Sequence, residues 1–148
     1  MNGSFALLVV SFALVACGPW GPVCAQPPGA GASAAAHTPP PGSGERKAIL
    51  DALRVPVERT YHERIVFVVE RLKVGAGYAY ADVGAQGPDG KPPQELAGMA
   101  GDVSALLRKQ GGRWKVLKWG SYGGMDLIFE CRKKYPKAPR ALYPGPND

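Results

Sequence analysis

The chain has 148 residues, a net charge of +6 and three cysteines, Cys17, Cys24 and Cys131. That length leaves room for a single small domain. The cysteines show no CxxC spacing, which argues against zinc-finger and thioredoxin-type chemistry.

The chain opens on an apolar run, Phe5 to Ala16 (FALLVVSFALVA). Spanning a bilayer takes about 20 such residues, so this run is too short to cross. Gly18, Pro19, Gly21 and Pro22 follow it and do not continue a helix. A short apolar segment at the N-terminus followed by small residues has the form of a secretory signal, so residues 1–16 predict export. Two cut sites compete. Leu14-Val15-Ala16-Cys17 resembles the lipobox of bacterial lipoproteins, whose Cys is acylated and becomes the new N-terminus. Val23-Cys24-Ala25 instead has small residues at the −3 and −1 positions of an ordinary signal-peptidase site, extending the leader to residue 25. Acylation at Cys17 leaves Cys24 and Cys131 as an even pair able to form a disulfide in an oxidising compartment. Release at Gln26 leaves Cys131 alone. The expected location is therefore the periplasm, as a lipid-anchored or a soluble protein.

Residues 17–43 read as a tether. From Gln26 to Gly44 there are five Pro, four Gly and no charged residue, too little apolar surface to offset chain entropy. His37 within it is expected to be solvated. The folded domain is assigned to residues 44–148. In SGERKAILDALRVP, Ser43 can cap a helix with Glu45 in its first turn, and Ile49, Ala52 and Leu53 share one face. Pro56 is expected to end that helix after about three turns. Ile65 to Val74 is rich in β-branched residues and Tyr78 to Ala85 alternates large and small; Gly75-Ala76-Gly77 lies between as a turn. Residues 87–101 read as a loop. Val103 to Gln110 and Arg113 to Tyr122 flank Gly111-Gly112, a two-residue hairpin turn. The prediction is an α+β domain with one N-terminal helix packed on a four-stranded antiparallel sheet of two hairpins.

The segments GERKAILDALR, VFVVERLKV, the DGKP loop and DVSALLRKQGGRWKVLKWG resemble a family of small exported bacterial proteins of unknown function. The likeness covers nearly all of residues 44–143. It implies a fold similar to cystatin-like and NTF2-like domains, and export. The family carries Thr-Asp and further Trp residues after the last strand, where this chain has Met125-Asp126-Leu127-Ile128-Phe129-Glu130-Cys131. The resemblance implies no activity.

NTF2-like enzymes use an inward carboxylate as general base, which makes Glu70 and Asp82 the catalytic candidates. A desolvated carboxylate on either strand would hold its proton nearer neutral pH, with Tyr78 and Tyr80 placed to orient a carbonyl. The simpler reading leaves both acids on a solvated face. Tyr61-His62-Glu63 lacks a nucleophile in a recognisable setting and is read as a polar turn. No clustered His, Cys and carboxylate set and no phosphate loop occurs, so no metal, nucleotide or other cofactor is expected.

Charge is unevenly distributed. Residues 45–102 carry 8 basic and 9 acidic side chains, whereas residues 103–148 carry 10 basic and 3 acidic ones. Arg108, Lys109, Arg113, Lys115 and Lys118 are interleaved with Trp114 and Trp119 on the last hairpin, a candidate anion-binding set. Arg132, Lys133, Lys134, Lys137 and Arg140 follow. In an exported protein the partner for such a field is an anionic envelope polymer or a lipid headgroup. The alternative is that Trp114 or Trp119 is core and the cations solvate the sheet. The Pro-rich tail is expected to run extended across the domain, anchored by Leu142 and Tyr143. Three functions remain open: a non-catalytic envelope domain that binds a partner, a binder of anionic polymers, and a small isomerase- or dehydratase-like enzyme.

Overall fold

The computed structural model describes residues 35–94, 101–121 and 124–145. The apolar run at residues 5–16, Cys17, Cys24 and the rest of the chain up to residue 34, with the expected export signal and most of the expected tether, lie outside them. The architecture is α+β. In chain order come α1 (Gly44–Tyr61), β1 (Val66–Gly75), β2 (Tyr78–Gln86), β3 (Asp102–Gln110), β4 (Arg113–Ser121) and α2 (Gly124–Lys134), then a 3-10 turn at Arg140–Leu142. The strands form one antiparallel sheet in the order β1-β2-β3-β4, two hairpins laid side by side. Ala76, Gly77, Gly111 and Gly112 all have positive φ at the two-residue turns, where glycine adopts that backbone most readily.

Helix α1 begins as its sequence dictates: the Ser43 hydroxyl accepts a hydrogen bond from the Arg46 amide at 3.2 Å. It does not stop at Pro56. It runs on to Tyr61 and ends at His62, which takes a left-handed conformation at φ 53°. A proline inside a helix costs about 3 kcal/mol. Here the turn beyond it seats Val57 and Tyr61, which are 0% and 5% exposed, against the sheet, and that burial offsets the cost. The expected polar turn at residues 61–63 therefore begins with a core tyrosine.

Strand alternation sends two sets of side chains to opposite faces. On one face Ile49, Leu53 and Val57 of α1 pack against Leu72, Ala81, Leu107 and Trp114 in a continuous apolar core. Trp119 meets Tyr61 edge-on at 6.3 Å between ring centres. The opposite face is covered by a helix that the sequence reading had not placed. Leu127, Ile128 and Cys131 on α2 form a second core with Tyr78, Tyr80 and Leu106. The tail completes this layer: Leu142 and Tyr143 are buried as expected, although Leu142 sits in a 3-10 turn.

The tether assignment also changes at its end. His37 and Val74 exchange two backbone hydrogen bonds, at 2.9 and 2.8 Å, so residues 36–38 lie along the outer edge of β1. Pro39 is fully buried, and the His37 ring stands 3.2 Å from the Glu45 carboxylate. These contacts supply the burial that composition alone did not reveal. No helix among the described residues is long and apolar enough to cross a membrane.

Candidate functional site

The face beneath α2 carries the polar chemistry, and a β-bulge opens it. Val69 pairs with Val83 and Arg71 with Asp82, which leaves Glu70 as an extra residue on β1. Bulges of this kind re-aim a side chain where pairing breaks. Glu70 is exposed, which corrects its reading as a desolvated carboxylate. Asp82 is half-buried and accepts a hydrogen bond of 2.6 Å from the hydroxyl of Ser104, its partner across the β2–β3 ladder. Both acids line one cavity of about 260 Å³, together with Tyr80, Asp102, Ser104 and Met125. The strands thus bring the two catalytic candidates to one place, with no His or Cys in the lining among the described residues.

Tyr80 stands on the buried side of this cavity and is 0% exposed. Its hydroxyl makes no hydrogen bond of ordinary geometry, although Asp82 and Ser104 adjoin it. Burial, reinforced by the Asp82 charge, holds the phenol protonated well above its usual range. The Tyr143 ring meets Tyr80 edge-on at 5.2 Å. Burial pushes the Tyr143 phenol up to about 12.

The cationic residues divide differently from their sequence order. Lys109 faces α1: its ammonium lies over Trp114 at 5.6 Å and 4.0 Å from Glu45. Lys118 faces α2 and pairs with Glu130. Arg113 is exposed at the end of the hairpin, and Lys115 is exposed opposite Arg108. The five residues therefore do not form a single patch. Arg108 and Arg132 of α2 each stand over a tyrosine ring instead. Arg108 lies over Tyr78 at 5.4 Å and Arg132 over Tyr143 at 5.2 Å, while the two phenols are close enough to interact electrostatically. Lys134 lies over Tyr135 at 5.8 Å near the end of α2. Arg132 was legible as one basic residue among several; its seat over Tyr143 depended on a helix not foreseen.

Cys131, read above as half of a possible bridge to Cys24, is a free thiol and 0% exposed. It packs as a small apolar group between α2 and the sheet, and bridging from there would require α2 to lift. Burial raises its pKa against the opposing charges of Lys118 and Lys134. Among the described residues no three His, Cys, Asp or Glu side chains are arranged to hold a metal ion. Comparisons with known protein families, with curated proteins and with solved structures each gave no match.

Proposed function

We propose that this chain is an exported, non-catalytic binding domain of the bacterial envelope. It is anchored through lipid on Cys17 or released at Gln26, and it holds an anionic envelope polymer through its basic C-terminal third. The fold reading that accompanies this proposal is cystatin-like or NTF2-like, supported by the order of one long helix followed by a four-stranded meander. One observation carries the binding reading. Arg108 and Arg132, from β3 and α2, sit over neighbouring tyrosine rings and have no carboxylate within ion-pair distance among the described residues. Stacking on a ring fixes the guanidinium plane while leaving its N–H groups directed at a ligand. Lys115 and Lys134 extend the same charge along this face.

The test is fluorescence anisotropy of labelled heparin, a polyanion probe, with phosphatidylglycerol vesicles as a second probe. The expected result is binding to heparin that weakens steeply between about 50 and 200 mM salt, with each removed arginine lowering the slope of log K against log salt by about one. Binding that ignores salt, or no binding at low salt, overturns the proposal. Vesicle binding without heparin binding assigns the face to lipid headgroups and overturns the polymer reading.

A further inference from the structure

We propose that the outward side of α2 rests on an anionic lipid surface, with Met125 and Phe129 inserted among the acyl chains and the cations of the last turn held at the headgroups. The inference goes beyond the polyanion reading, which stands on Arg108 and Arg132 over their tyrosines. Its starting point is exposure. Leu127, Ile128 and Cys131 turn inward and are buried on the sheet, whereas Met125 and Phe129 are 77% and 75% exposed. Among the described large apolar side chains none stands further out. Four residues apart on a helix, the two lie one above the other on a single stripe. Neither belongs to the core on either face of the sheet, so packing within the fold does not account for them.

Charge selects the occupant. Lys133 continues the stripe four residues beyond Phe129, and Arg132 lies three beyond it; both are exposed. Arg132, Lys133 and Lys134 fill the last turn, and Lys137 follows, also exposed. Of the two acids on α2, Glu130 pairs with Lys118, and Asp126 lies in the first turn, away from those cations. An apolar stripe that runs into a cluster of cations matches the boundary of an anionic bilayer, where acyl chains and negative headgroups lie side by side.

Area favours a bilayer over a protein partner. Two side chains offer on the order of 300 Å² of apolar surface, against about 800 Å² per partner in a stable protein interface. A fluid acyl layer needs no matching shape, and it takes up a flexible Met as readily as a flat ring. Because the inner side of α2 is held by the sheet, only the stripe enters the bilayer and the helix keeps its place in the fold.

The experiment puts the photoreactive residue benzoylphenylalanine in place of Phe129 in the full chain, irradiates it with vesicles and reads the adducts by mass. The vesicles are phosphatidylcholine alone or phosphatidylcholine mixed with phosphatidylglycerol. The same residue in place of Val55, exposed on α1, is the control. The expected result is a lipid adduct at position 129 on the anionic vesicles, at least about fivefold above the neutral vesicles and above position 55. Lys133→Ala should lower that yield about fivefold, the share of one cation near the surface. Met125→Ser with Phe129→Ser should leave heparin affinity within about twofold, so this proposal and the polymer reading fail separately. No lipid adduct at position 129, equal yields at both positions, equal yields on both vesicles, or an adduct to a second copy of the chain in place of lipid would each overturn the proposal.

Discussion

The same four strands present two unlike faces. Towards α1 the sheet shows Leu72, Ala79, Ala81, Val83 and Leu107, each at most 2% exposed, in one uninterrupted apolar layer. Towards α2 the alternate positions hold Tyr78, Tyr80, Asp82, Ser104 and Arg108, and the layer includes a cavity, a buried thiol and two tyrosine hydroxyls without ordinary partners. A core needs only apolar volume, and the first face supplies it. Buried polar groups cost stability unless they are bonded, and both faces carry such groups, Tyr61 on the first and Tyr80 and Tyr143 on the second. The α1 side is the more uniformly apolar of the two, and the α2 side mixes polar and apolar side chains.

The largest effect should come from breaking the first face. Leu53→Ala empties a fully buried position and should cost about 3 kcal/mol of unfolding free energy in urea, within the usual range for such cavities. Leu142→Ala removes the same group from the tail layer, where α2 and the tail can settle inward, and should cost about 2 kcal/mol. Its mark should be faster amide exchange in α2 while β2 and β3 stay protected. If Leu142→Ala exposed all strands equally, the two faces would be one unit and the comparison would fail.

Alkaline pH sharpens the same contrast. A phenol whose pKa is raised on folding binds its proton more tightly in the native state, so stability is full below the unfolded value and is lost as pH climbs. For Tyr143 that window runs from pH 10 to about 12, and Tyr80 extends it upward. Urea midpoints measured across this range should fall with pH, and the fall should be shallower in Tyr143→Phe. A phenol absorbance titration should show late ionisation that Tyr143→Phe reduces. The smallest effect is expected at Tyr61, whose buried hydroxyl has no hydrogen-bond partner. Tyr61→Phe should change stability by no more than about 0.5 kcal/mol, because no bond is lost.

Much of the sheet was legible beforehand. The β-branched run of β1, the large–small alternation of β2 and the Gly111-Gly112 turn placed all four strands to within a residue or two. The alternation in YAYADV also put Tyr78, Tyr80 and Asp82 on one face, as the structure shows. Helix α1 was cut short because a proline rule outweighed Val57 and Tyr61, whose burial depends on a sheet that local sequence does not display. Helix α2 did have a signal: Leu127, Ile128 and Cys131 recur at helical spacing, with Asp126 in the first turn and Arg132, Lys133 and Lys134 in the last. Comparison with a family pattern at that segment obscured it. The approach of Ser104 to Asp82, and of Arg132 to Tyr143, follows from register and helix placement, which no local pattern encodes.

The most direct test of the account is a matched pair of double variants in the heparin anisotropy measurement. Arg108→Ala with Arg132→Ala removes two cations from the α2 face; Lys47→Ala with Arg59→Ala removes two exposed cations from α1. The account predicts that the first pair lowers affinity at least about tenfold and reduces the salt slope by about two, while the second changes affinity by less than about threefold. Equal losses in both pairs would mean that net charge alone holds the polymer, and would contradict the assignment of binding to the α2 face.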